Sequence, residues 1–92
     1  MHPYFAEAWN KRGDAYMHSG DIDDALQNYA QALVLNPYHF GAMESCGSIW
    51  LSKSQIRKAY KWFQKALEIN PNMLHVAQIL RKIEEKLEND KI

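Results

Sequence analysis

Toward the end of the chain, Leu74, Ala77, Leu80, Ile83 and Leu87 recur at steps of three and four, with Arg81, Lys82, Glu84, Glu85 and Glu88 between them. That spacing draws one apolar stripe along a helix and turns the charges to its other side. Reading the whole chain in this way predicts helices over 6–18, 22–35, 40–52, 56–69 and 73–89, joined by three or four residues. Pro37 and Pro71 close the second and fourth, because the residue before a proline avoids helical backbone. Asp21 is placed to cap the second helix, with Asp23 and Asp24 near its positive end. Ser54 or Gln55 opens the fourth less well, since Arg57 and Lys58 fall in a first turn where the helix dipole disfavours cations.

The pattern then repeats. Displaced by 34 residues, Ala8 falls on Ala42, Gly13 on Gly47, Ala25 on Ala59, Ala32 on Ala66, and Asn36-Pro37 on Asn70-Pro71. Similar residues fill the positions between: Tyr16 with Trp50, Tyr29 with Phe63, and Leu35 with Ile69. The small residues mark places where two antiparallel helices must approach within roughly 8–10 Å. Large aromatics on neighbouring turns fill the space that the small ones leave.

A 34-residue period with small, aromatic and proline positions in register resembles the tetratricopeptide repeat (TPR). Trp9-x2-Arg12-Gly13-x2-Tyr16 followed by Ala25-x3-Tyr29, Ala32 and Pro37 carries the first copy, and Met43-x2-Cys46-Gly47-x2-Trp50 followed by Ala59-x3-Phe63, Ala66 and Pro71 the second. The strings Ala6-Glu7-Ala8-Trp9-Asn10-Lys11-Arg12 and His39-Phe40-Gly41-Ala42-Met43 further resemble the C-terminal repeats of small TPR proteins from bacteria and plant organelles, whose role is not established. Tyr38 and Glu44 depart from that group, which has a basic residue and a small or hydroxyl residue there.

The resemblance implies an all-α, right-handed α-α superhelix: one repeat over 6–39, a second over 40–73, and a C-terminal capping helix and tail over 74–92. Arg81 and Glu84 stand where a third repeat would need a small residue and an aromatic, so the last helix reads as a cap with a polar outer side. Pro3-Tyr4 repeats Pro37-Tyr38, so residues 1–5 read as the end of a preceding repeat. Two repeats and a cap fall short of the roughly three that stacking requires. Either the chain belongs to a longer array, or a second molecule covers the open flank.

A TPR fold implies a protein-interaction module that takes a protein or peptide partner in a concave groove lined by the first helix of each pair. By register, the groove residues are Glu7, Asn10, Lys11, Asp14, Met17, His18, Gly41, Glu44, Ser45, Ser48, Leu51 and Ser52. TPR domains that hold acidic chaperone tails use a clamp of lysines, arginines and asparagines there. Here only Asn10 and Lys11 have that chemistry; Asp14 and Ser45 occupy two asparagine positions, and His75 and Ile79 replace the basic residues of the third helix. The groove is expected to lack the clamp, to be mildly acidic through Glu7, Asp14 and Glu44, and to favour a neutral or basic peptide.

The alternative is self-association into a homodimer, through Phe5, Trp9 and Arg12 on the open flank or through Trp62, whose repeat position usually faces solvent. Arg12 stands where leucine usually packs. Either its stem packs while its head reaches the open edge, or it binds a missing repeat or a ligand carboxylate.

Charge supports the dimer reading in one respect. Eleven basic and eleven acidic residues cancel over 92, yet residues 6–37 hold five acidic against two basic and residues 40–71 five basic against two acidic. The overall balance argues against a dedicated nucleic-acid binder. Arg57, Lys58, Lys61 and Lys65 around Trp62 are read as a solvated face ahead of an RNA patch.

Other chemistry is not indicated. The four histidines have no second ligand at compact spacing, Asp21-Ile22-Asp23-Asp24 lacks the glycine and glutamate of a calcium loop, and Cys46 has no positioned base. No metal, cofactor or catalytic centre is expected. No apolar run approaches the roughly 20 residues of a membrane span, and no secretory leader is visible. A single cysteine fits a reducing compartment, with the cytoplasm as the default.

Overall fold

The computed structural model describes residues 4–90. Five helices follow one another: α1 (Tyr4–Ser19), α2 (Ile22–Leu35), α3 (Phe40–Ser52), α4 (Ile56–Ile69) and α5 (Leu74–Asn89). Four of the five helices match the predicted ends to within one residue; α1 begins two residues early, so Tyr4 and Phe5 belong to the first helix. Pro3, and with it the proposed end of a preceding repeat, lies outside the described residues.

Each hairpin closes around a glycine. A Cβ added to Gly13 would sit 2.7 Å from Cε1 of Tyr29, and one on Gly47 would sit 2.8 Å from Cε1 of Phe63. Both distances are below any ordinary van der Waals separation, so α1 meets α2, and α3 meets α4, only because these side chains are absent. The aromatic rings are themselves fully buried and fill the space. Ala25, Ala32, Ala59 and Ala66 lie one turn to either side of the two rings and are wholly buried.

The core has two parts. Ala25, Tyr29, Ala32, Ala42, Cys46 and Ile49 form one, and Met43, Ala59, Phe63, Ala66, Met73, Val76 and Ile83 the other. Leu33 and Trp62 pack against both. Trp62 is therefore half-buried mortar between the repeats, where the sequence had suggested an exposed ring. The register equivalent, Asn28, is buried as well. In this chain the position packs between the helix pairs while part of the Trp62 ring stays open beside Lys58, Lys61 and Lys65. Cys46 is a buried apolar residue whose thiol is pushed up to about 12 by burial, so little thiolate is available for nucleophilic chemistry.

The helix ends follow the sequence only in part. Asn36 and Asn70 stop α2 and α4, their side chains accepting from the backbone N–H of Tyr38 and Asn72 at 3.1 and 3.3 Å. These Asx turns fix the loops ahead of α3 and α5. Asp21 occupies the N-cap of α2 but makes no side-chain capping bond. The cap seen instead is His39, whose Nδ1 accepts from Ala42 N–H at 3.0 Å to open α3. Histidine is a weak N-cap by preference, and the propensity ranking gives no signal for it.

In α5 the buried line runs through Val76 and Ile83, preceded by Met73 at the N-cap and flanked by half-buried Ile79, Leu80 and Leu87. Leu74 is 71% exposed, so the buried stripe is rotated from the one the leucine spacing suggested. The helix still covers the second core cluster, with Arg81, Lys82, Glu84, Glu85 and Glu88 outward. Among the described residues no helix is long and apolar enough to cross a membrane.

Candidate functional site

The odd-numbered helices line one face, and two histidine–carboxylate contacts cross it. Glu7 on α1 accepts from His39 at the start of α3, with Oε2 2.8 Å from Nε2. Glu44 on α3 meets His75 on α5, with Oε1 and Oε2 2.9 and 3.1 Å from Nε2. Each contact ties one first helix to the next. The sequence separations are 32 and 31 residues, close to one repeat. A search for groove acids paired with a histidine about one repeat later would have found both. Treating each histidine alone, as a metal ligand or a surface residue, does not.

The three groove acids thus have different roles. Asp14 is half-buried, and its Oδ1 accepts the hydroxyl of Tyr29 at 2.5 Å, which turns the carboxylate into the hairpin. Burial, and then this hydrogen bond to a carboxylate, push the Tyr29 phenol well above its ordinary range. Glu44 is engaged by His75. Glu7 remains the most open: its side chain is 54% exposed, against 13% for His39. The His39 hydrogen bond holds the Glu7 carboxyl below the usual carboxylate range, with further help from Asn10 and Lys11 and against the cost of burial.

Glu7, Asn10 and Gly41 come together as expected. With His39, Tyr38 and Phe40 they line a cavity of about 440 Å³ where α1 meets the α2–α3 loop. Asn10 is only 9% exposed, and its Oδ1 has no hydrogen-bond partner. A buried amide oxygen left without a donor costs about 1–3 kcal/mol. Lys11 and Ser48 are exposed on α1 and α3, while Met17 packs against the first core cluster and is not a free groove residue. Ser45 and Ser52 return their hydroxyls to the backbone oxygens of Gly41 and Ile49, and His18 contacts its own helix at the Asp14 oxygen.

On the open flank of α1, Phe5 is 50% exposed and Trp9 half-buried. Arg12 lies along this surface with its guanidinium carbon 5.6 Å from the Trp9 ring centre and 5.7 Å from that of Tyr16, and one Nη donates to the Tyr16 hydroxyl at 3.3 Å. The arginine head neither inserts nor reaches free into water. It lies over two aromatic faces, the cation–π arrangement. The basic face of α4 is similarly occupied, with Lys58 Nζ 4.4 Å from the Trp50 ring centre and Lys65 Nζ 5.3 Å from that of Trp62.

Repeated hairpins of this length, closed on glycine and ended by Asn-Pro, are what tetratricopeptide-repeat family models describe, and two such models match residues 6–39 and 47–73. The chain belongs to the tetratricopeptide-repeat family. Human superkiller complex protein 3 is 34% identical over a stretch covering 85% of this chain and 5% of that protein. A TPR repeat-containing protein of Rhizobium etli is 24% identical across 95% of this chain and 43% of its own length. The chain therefore spans under half the length of either relative. Among solved structures, the first TPR of Spaghetti (RPAP3) bound to the HSP90 peptide SRMEEVD superposes with a TM-score of 0.82 at 26% identity, covering 94% of this chain and 70% of that one. The fold is thus an all-α TPR solenoid of two repeats with a capping helix, of a family that serves as protein-interaction scaffold.

Proposed function

We propose that this TPR unit holds a segment of a partner protein across the face of α1, α3 and α5, and that it prefers neutral or basic segments to acidic ones. The observation that carries this reading is the cavity of about 440 Å³ lined by Glu7, Asn10 and Gly41, which opens beside a half-exposed carboxylate. The neighbour bound to SRMEEVD supports peptide capture by this fold. The ligand preference rests on this chain's own residues. A clamp for acidic tails needs converging cations, and on this face Glu7 and Glu44 stand with Lys11 as the nearby ammonium. No catalytic role is proposed.

Capture on an array of partner-derived peptides tests the reading, with Asn10→Ala and Glu44→Ala as variants. Both should weaken binding, Asn10→Ala by roughly fivefold or more, the equivalent of about 1 kcal/mol for one lost hydrogen bond. Peptides whose binding ignores both changes would bind elsewhere. Micromolar affinity for SRMEEVD itself would overturn the stated preference.

A second reading is favoured by the flank of α1, where a half-exposed Phe5 adjoins Trp9 and the aromatic-stacked Arg12. In a longer array this surface receives another helix pair. In the isolated chain a second copy can cover it, as a closed two-fold dimer. Sedimentation equilibrium should show mass rising above 10.7 kDa with concentration, and Trp9→Glu should reverse it. A single 10.7 kDa species up to high micromolar concentration would remove the dimer.

A further inference from the structure

The cavity between α1 and the α2–α3 loop has an electrostatic asymmetry that names its ligand. His39 Nδ1 accepts the Ala42 N–H that caps α3, and its Nε2 lies 2.8 Å from Glu7 Oε2. An imidazole nitrogen that accepts an N–H carries no proton of its own, so the ring proton sits on Nε2 and is donated to Glu7. The contact orients the Glu7 carboxylate, whose side chain stays 54% exposed. Lys11, one turn along α1, is exposed, and its effect is diluted by water.

Two exposed aromatic residues line the same cavity as the carboxylate. Tyr38 is 69% exposed, held outward by the Asx turn in which Asn36 accepts its backbone N–H. Phe40 begins α3 and is also exposed. An open carboxylate and exposed aromatic residues lining one cavity of about 440 Å³ suit a cation carried on an apolar stem. An acidic group would meet Glu7 directly, and a purely apolar one would draw nothing from its charge.

We propose that this cavity takes the cationic side chain of a bound peptide, arginine or lysine, with its charge on Glu7 and its stem between Tyr38 and Phe40. The inference rests on the groove reading above and specifies which side chain the α1 end of the groove selects. The pocket is small enough to be probed without the rest of the groove.

Acetylated and amidated glycyl-arginyl-glycine, and the same tripeptide with neutral, near-isosteric citrulline, are titrated into the ¹⁵N-labelled chain at millimolar concentration. The arginine peptide should shift the amides of Tyr38, His39, Phe40 and Gly41 and bind about two- to fivefold more tightly than citrulline, the range for one partly exposed ion pair. Glu7→Gln, which keeps an acceptor for His39 and removes the charge, should erase that preference, while Glu85→Gln on α5 should retain it. Equal affinity for the two peptides, a preference that survives Glu7→Gln, or shifts confined to other helices would each overturn the proposal. The two readings fail separately: a longer peptide that responds to Glu44→Ala but does not distinguish arginine from citrulline sinks the pocket and leaves the groove. Tripeptides that titrate as expected, beside longer peptides indifferent to Glu44→Ala, do the reverse.

Discussion

Gly47→Leu should leave little cooperative unfolding to measure, whereas Ala30→Leu, which adds the same kind of bulk at an exposed site of α2, should melt like the parent chain. The cause is local. A Cβ at Gly47 already meets Cε1, Cδ1 and Cζ of Phe63 at 2.8–2.9 Å, before any further leucine atoms are placed. Phe63 is completely buried, between Ala59 and Ala66 on its own helix, and cannot swing into solvent without opening the second core cluster. The helices must therefore separate. Overpacking of this kind ordinarily costs about 1–3 kcal/mol, and here it also disrupts contacts along the length of α3 and α4. Replacing a helical glycine returns about 1 kcal/mol of propensity, which is too little to compensate. Against a total of about 5–15 kcal/mol for a small domain, the loss is large. Urea denaturation followed by circular dichroism reads the effect directly. A midpoint within error of the parent would mean that Gly47 does not sit at the α3–α4 contact.

How much of this was legible beforehand depends on whether the determinant was local in sequence or repeated through it. The helices were legible because their stops are covalent: Pro37 and Pro71 cannot continue a helix, and α2 and α4 end two residues before them. The hairpin contacts were legible because the glycine and the aromatic recur together, Gly13 with Tyr29 and Gly47 with Phe63, at the same offset of 16 residues. The orientation of α5 was only half legible. Its leucine spacing supports a stripe through Leu74, but the register of that stripe is set by what α4 presents, and Val76 and Ile83 meet it instead. Trp62 was half legible for a related reason: its packing between the repeats did not show in the sequence. A position that faces water in one repeat array faces a neighbouring helix in another, and only the packing of Leu33 and Trp62 across both clusters decides it.

Within the candidate site the same division holds. Glu7, Asn10 and Gly41 were placed together by register alone, because groove positions follow from helix geometry. The roles of the acids were not. Asp14 looks like a groove carboxylate in sequence, yet it accepts a hydrogen bond from a tyrosine 15 residues away and faces into the hairpin. His39 offers no capping signal by residue type, yet it caps α3 with one ring nitrogen and binds Glu7 with the other. A bifunctional residue of this kind becomes visible only when both partners are located in space. An oriented and open Glu7 carboxylate is the consequence, and no count of acids and bases along the chain would reveal it.

Phe63→Ala should cost about 3–5 kcal/mol, the range for removing a fully buried phenylalanine. The upper part of that range is expected here. The ring is 0% exposed, and the residues around it are too small to refill its volume: Gly47 faces it from α3, and Ala59 and Ala66 lie on either side along α4. A cavity lined by such residues collapses only if the backbones move together, which the neighbouring hairpin, fixed at Gly13 and Tyr29, resists. The cavity also predicts a change of sign at Gly47. In the parent chain Gly47→Ala drives a methyl into the ring edge and destabilises. In the Phe63→Ala background the obstructing atoms are gone, the methyl partly fills the void, and about 1 kcal/mol of helix propensity is recovered. There Gly47→Ala should be neutral or stabilising. A double-mutant cycle from urea midpoints measures the difference as a coupling energy, which for side chains in direct contact falls at roughly 0.5–3 kcal/mol. If Gly47→Ala costs the same in both backgrounds, the contact between the glycine and the ring is not what holds the second hairpin together.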